Sequence, residues 1–270
     1  MGVKIGHASK DENNKITGGK AGDQTAREVR IDDYYVHSKG WVLLRCNNAT
    51  RREKIAEAME KACKNNQIGY DQNQRSTLFN NIQDKGFDPS KTTKNVEVDC
   101  SALVRVCIAY AYGRDRVGDI RTKDLPSALV ASGLFTKYTT DKYCKSSDYL
   151  RRGDILCTPV KGHVVVVLND GAKAHEVVKK VAKEAAQSFS SSLKRAYKTT
   201  ASLNIRNGAG TVKNKFGKDK TVLVVIPKGT VVQCLGNYTT VLSRKWLYVQ
   251  FTYKNVQYTG FASSKYLTKN

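Results

Sequence analysis

Apolar positions along the chain follow two different rhythms, and the change between them divides the sequence. In the first two thirds they recur at three- and four-residue intervals, broken by short continuous runs. Ile55, Ala56, Ala58, Met59 and Ala62 predict an amphipathic helix. Thr50 and Glu53 precede it at capping-box spacing, and it ends near residues 64–66. Ser76 to Ile82 predicts a short helix before Gly86 and Pro89. From Val96 a β-branched run passes through Asp99, Cys100 and Ser101 into a second apolar helix. Leu103, Val104, Val106, Cys107, Ala109 and Tyr110 mark its face, and Gly113 marks its stop. Leu125–Ser132 predicts a further short helix, with Pro126 in its first turn.

Strands are predicted at Gly40–Arg45, after the turn Arg152-Gly153-Asp154, and at residues 164–168, where Val-Val-Val-Val-Leu is closed by Asn169-Asp170-Gly171. The polar first forty residues read as loops. Residues 172–192, rich in Ala, Lys, Glu and Ser, read as a partly helical linker. After them come short β-branched and aromatic runs separated by Gly, Asn and Lys, the pattern of an all-β barrel of about five to seven strands. The expected division is 1–171, a linker over 172–193, and 194–270.

Composition adds a charge asymmetry. The 270 residues carry 46 Lys+Arg against 24 Asp+Glu, a net charge of +22. From Lys194 onward there are fourteen basic residues and one acid, Asp219. Such a field favours a polyanionic partner such as nucleic acid, anionic lipid or the teichoic acids of a bacterial wall. No run approaches the ~18 apolar residues of a membrane span. The N-terminus lacks the apolar segment of a secretory signal. Seven cysteines, at 46, 63, 100, 107, 144, 157 and 234, include no C-x-x-C pair. A disulfide scaffold and a zinc ribbon are therefore not expected, and most of these thiols should be reduced and buried.

Cys100 stands out by its address. At a helix N-terminus it faces unpaired N–H groups and the positive end of the helix dipole, both of which favour the thiolate. Asp99 reads as the helix cap. His163, one of four histidines in the chain, stands at the mouth of the buried 164–168 strand, and Cys100 with His163 forms a candidate nucleophile–base pair. A third group should fix the imidazole. His175 would return beside the strand if a hairpin follows it, with Asn169 and Asp170 as rivals. His7 and His37 lie in polar sequence and there is no H-E-x-x-H, so no metal or other cofactor is implied. Neither a phosphate-binding loop nor a dinucleotide fingerprint follows a predicted strand.

Asp99-Cys100-Ser101 at a helix start, Arg152-Gly153-Asp154 before a strand and Gly162-His163 opening an apolar strand resemble the NlpC-type papain-like cell-wall peptidases over roughly residues 50–176. The resemblance implies an α+β papain-like domain with Cys100 as nucleophile, His163 as base and His175 as its orienting partner. Tyr70 would help position substrate or oxyanion together with Ser101. Residues 197–268, with LNIRNGAGT, IPKGTVV, KWLYV and TGFASSKYL in order, resemble a bacterial SH3 domain, a small all-β barrel that binds the cell wall. The combination resembles a phage or prophage endolysin, made in the cytoplasm and reaching peptidoglycan through a holin. The expected reaction is hydrolysis of a stem-peptide amide next to γ-D-glutamyl. The alternatives are an amidase cutting the glycan–peptide link, or a non-catalytic wall- or nucleic-acid-binding protein in which Cys100 is core. Specific nucleic-acid binding and membrane insertion are not expected, and nothing in the sequence speaks to oligomeric state.

Overall fold

The structure is a computed structural model that describes residues 2–211, 221–254 and 256–270. It divides into two compact units, Met1–His175 and Glu176–Asn270. The first is mixed α/β. Its elements are β1 (Lys4–Ala8), β2 (Val29–Asp33), β3 (Val42–Cys46), α1 (Ala49–Cys63), β4 (Ile68–Tyr70), α2 (Thr77–Ile82), β5 (Val96–Val98) and α3 (Cys100–Tyr112). They are followed by α4 (Leu125–Ala131), β6 (Phe135–Tyr138), α5 (Asp141–Cys144), β7 (Ile155–Cys157) and β8 (Val164–Val167).

Six of these strands form one antiparallel sheet in the order β2-β1-β8-β7-β3-β6. The continuous apolar run of β8 follows from burial on both faces. Val164 and Val166 join Leu44, Ile55, Met59, Leu103 and Cys107 in a core with α1 and α3. Val165 and Val167 pack with Ile5, Leu43, Trp41 and Leu156 on the other face. Gly6 is required where β1 passes α1, because a Cβ there would lie 2.4 Å from Met59 Cγ.

Three expectations are corrected in this unit. The first forty residues are not all loop: β1 and β2 supply two strands of the sheet, short enough that no alternation exposes them. Helix α1 is capped by Asn48, whose side chain accepts from the Arg51 amide, and not by Thr50. Glu53 pairs with Arg152 at 2.5 Å instead of reaching back to the cap. After β8 the chain does not return as a hairpin; β1 occupies the place beside it, with Ile5 opposite Val167 and Gly6 opposite Val166.

The turn Arg152-Gly153-Asp154 is structural. Asp154 is fully buried and takes Arg45 Nε at 2.8 Å and Nη2 at 2.6 Å. Gly153 has φ +79°, with the Arg52 carbonyl against its Cα.

The second unit is a multi-stranded, mainly antiparallel sheet built from β9 (Val178–Val181), β10 (Ser188–Phe189), β11 (Arg195–Thr199), β12 (Leu203–Arg206), β13 (Val222–Ile226), β14 (Val231–Val241), β15 (Arg244–Tyr253), β16 (Val256–Ser263) and β17 (Leu267–Lys269). Tyr197, Ile205, Ile226, Val232, Leu247 and Val249 form its core, and Trp246 and Phe261 form a second cluster. The segment read as a partly helical linker instead carries β9 and β10. β16 meets β12 only at Phe261, so its Val256–Thr259 backbone is open, and β9 pairs there in parallel. Ladder bonds do not depend on side-chain composition, which is why an Ala/Lys/Glu-rich segment can serve. Asp219, the lone acid of the basic region, lies outside the described residues.

Candidate active site

Local structure around Cys100 begins with the parallel pairing of β4 and β5, which sets Tyr70 opposite Val98. Chain direction then turns into α3. Asp99 is its N-cap and accepts from the Ala102 amide at 2.7 Å, so Cys100 is the first helical residue. Arg75 fixes this corner. Its Nε donates to Asp99 at 2.6 Å and its Nη2 to Ser101 Oγ at 2.9 Å, and it also reaches Asp119 and the Ile120 carbonyl. Ser101 Oγ donates back to Asp99 at 2.9 Å. Both bonds serve the corner, so the Ser101 hydroxyl is engaged with Asp99 and Arg75 although the residue also lines the cleft.

The Cys100 side chain is 6% exposed, and its Sγ lies 3.5 Å from Thr122 Oγ1 and beside the backbone amide of Val164, the residue after His163. Burial pushes the thiol up to about 11, with the Asp99 carboxylate adding to the effect. The pull of the helix terminus toward a resting thiolate is therefore outweighed by desolvation. Tyr70, 3% exposed, lies within electrostatic reach of Cys100 and Asp99, and its hydroxyl accepts from Gln72. The β4–β5 pair thus brings together residues thirty positions apart.

His163 is held at the mouth of β8 by Thr158, whose Oγ1 accepts from the His163 amide at 3.0 Å. Its ring partner is His7: His163 Nε2 to His7 Nδ1 is 2.6 Å, and His7 Nε2 to Asp32 Oδ2 is 2.9 Å. Arg30 Nε donates to the same Asp32 oxygen at 2.8 Å. Burial lowers His7, and burial together with the nearby His7, His37 and Arg30 brings His163 down to about 3. Both rings are then neutral near pH 7, and the bond pattern sets their tautomers. His7 Nε2–H donates to Asp32, so His7 Nδ1 accepts from His163 Nε2–H. His163 Nδ1 is left with its lone pair. No hydrogen bond joins that ring to Cys100 Sγ among the described residues; it is the backbone amide of the next residue, Val164, that lies against Sγ.

His175 is elsewhere. Its Nε2 bonds Asp170 Oδ2 at 2.7 Å, and its side chain is 71% exposed. Asn169 accepts from the Lys4 amide at 2.6 Å, and Asp170 from the Arg152 amide at 2.8 Å. These three residues lie past the C-terminal end of β8. Asn169 lies six positions beyond His163 at the other end of β8, roughly 20 Å. None is brought to the imidazole, and His7 stands where His175 was expected. The only sequence signal for His7 is its place within KIGHA, a run too short to announce a central strand.

A cavity of about 280 Å³ opens over Cys100, with Gln72, Arg121, Thr122, Lys123 and Lys161 on its walls. On the His163 side, His37 and Tyr35 pack on Trp41 with ring centroids 5.2 and 5.7 Å away, and Lys39 Nζ reaches the Lys161 carbonyl. Among the described residues no three His, Cys, Asp or Glu side chains form a group able to hold a metal ion. No described helix is long and apolar enough to cross a membrane.

A neutral imidazole braced by a second histidine and a carboxylate, one residue before the Val164 amide that adjoins a thiol on a helix N-terminus, is an arrangement suited to general-base-assisted thiol chemistry. No curated protein and no solved structure matches the chain. A family model described as an endolysin-like domain matches residues 5–174, a span that includes His7, Asp32, Cys100 and His163 and ends before His175. That span is more than half of the chain, and the protein belongs to the endolysin-like domain family.

Proposed function

We propose that the protein is a thiol-dependent peptidoglycan hydrolase of the papain-like type, cutting a stem-peptide amide next to γ-D-glutamyl, with an SH3-like wall-binding unit at its C-terminal end. Family membership supports the endolysin setting and peptidoglycan as substrate. The observation that carries the chemical reading is the chain Asp32–His7–His163 ending beside the corner that holds Cys100. His163 Nδ1 takes the thiol proton as Sγ attacks the amide carbonyl, and the tetrahedral oxyanion is met by backbone N–H groups at the start of α3. His163 returns the proton to the leaving amine, the C–N bond breaks, and an acyl-thioester remains. Water, deprotonated by the same imidazole, hydrolyses that thioester and restores the thiol. Because both partners are neutral at rest, proton transfer accompanies attack. Arg121, Lys123 and Lys161 around the cavity suit the free carboxylates of a stem peptide.

Cys100→Ser is expected to abolish the clearing of purified cell walls while leaving the fold intact. Mass spectrometry of the fragments released by wild type identifies the bond: disaccharide-dipeptides ending in D-glutamate are expected. Free glycan with a lactyl carboxyl end would replace this reading with the amidase one.

A further inference from the structure

A second cavity, about 450 Å³, adjoins the cleft over Cys100 and shares Gln72 and Arg121 with it. Its volume is in the range of small-ligand sites. Side-chain amides dominate its wall: Asn73, Gln74 and Asn80 join Gln72 there. Among the described residues, none of the Asn73, Gln74 and Asn80 amide groups makes a side-chain hydrogen bond. The backbone beneath them is nonetheless fixed, because Asp71 Oδ1 accepts from the amides of Asn73 at 2.5 Å and Gln74 at 3.1 Å. Arg75 is committed to Asp99, Asp119, Ser101 and the Ile120 carbonyl, and the other cation, Arg121, stands on the wall shared with the Cys100 cleft.

We propose that this cavity is a sugar subsite that takes the N-acetylated glycan of the substrate, so that the protein favours peptide still attached to its sugar. The inference rests on the reading of the Cys100 cleft as a peptidoglycan site. A side-chain amide offers two donors and two acceptor lone pairs, which matches hydroxyl and acetamido groups. A carboxylate-bearing ligand would need free cations, and Lys123 and Lys161 line the neighbouring cleft alone, with Arg121 on the shared wall. The two cavities therefore separate the two halves of a glycopeptide by chemistry: cations toward the peptide carboxylates, neutral amides toward the sugar.

The test uses the full chain carrying Cys100→Ser, with N-acetylglucosamine tetramer as the probe, followed by calorimetry and NMR. The expected result is saturable binding that weakens tenfold or more when Asn73→Ala and Asn80→Ala are added. No binding at millimolar tetramer overturns the proposal. So does binding that the two substitutions leave unchanged, which would place the sugar elsewhere, and so does displacement of the tetramer by free stem peptide, which would make the cavity a peptide site. In the active chain, the ratio of kcat/KM for disaccharide-peptide over free peptide should collapse toward one in the double variant. A ratio unaffected by both substitutions overturns the proposal. If Cys100→Ser still clears walls, the thiol mechanism falls, while the tetramer titration still decides for or against the subsite.

Discussion

In the proposed mechanism the imidazole of His163 serves as a base only while one of its nitrogens is bare, and Asp32 and His7 decide which. Asp32 accepts from His7, His7 accepts from His163, and Nδ1 is left open. Removing the base should cost more than loosening its brace. His163→Ala is expected to lower kcat about 10²–10⁴-fold, and His7→Ala by up to about 10²-fold through misorientation. Steady-state kinetics on soluble muropeptides separates them, and equal losses would place His7 in the proton transfer itself. The same burial has a consequence for stability. Both histidines are held below their ordinary 6.5, His163 to about 3. Between those values the unfolded chain binds more protons than the folded one, so stability rises with pH. Their share of the stability is complete above about 6.5 and is lost as pH falls toward about 3. Thermal unfolding followed across that window should show the fall, and His163→Gln should flatten it; an unchanged slope would assign the acid sensitivity to other groups. Cys100 and His163 are legible in the sequence because each marks the start of a strongly apolar element. The role of Ser101 is not, since no spacing reveals that Arg75 arrives from another segment to claim it.

At the level of elements, the sequence is most readable where apolar spacing is long. α1, α3, α4 and the β8 run lie close to where periodicity places them, because buried faces impose that spacing. The elements that escape such reading share a cause. β1, β2 and β9 hold their places by ladder bonds to strands distant in sequence, and that pairing leaves no periodicity in five residues or fewer. The substitution of β1 for a hairpin partner of β8 is the one that matters for chemistry, since it replaces His175 with His7. The cap of α1 falls two residues before Thr50 for a related reason: Thr50 with Glu53 has the right spacing, but Arg152, 99 residues further along the chain, takes the glutamate. Asn48→Ala should therefore destabilise the first unit by about 1 kcal/mol, while Thr50→Ala should be close to neutral. Urea midpoints of the two variants decide between them, and the reverse order would restore the capping box.

On the scale of the whole molecule, two units with separate cores carry different kinds of chemistry. The large core of the first unit is drawn from residues 8–168 alone, and those of the second from residues 182–262. A unit with its own core can fold alone. The thiol, both paired histidines and Asp32 lie in the first, whereas the strongest charge excess, fourteen basic residues against one acid, begins at Lys194. The proposed function divides along this asymmetry: turnover would fall to residues 1–175, and retention on a polyanionic wall to the remainder. Retention by charge is weakened by salt, because the screening length contracts from about 10 Å at 0.1 M to about 3 Å at 1 M. A fragment ending at His175 is therefore expected to cleave soluble muropeptides as the full chain does but to lose co-sedimentation with cell walls. Sedimentation of the full chain should decline as sodium chloride is raised. If the fragment sediments as well as the full chain at every salt concentration, the basic unit contributes nothing to retention, and the wall must be held by the cleft and its neighbouring cavity alone.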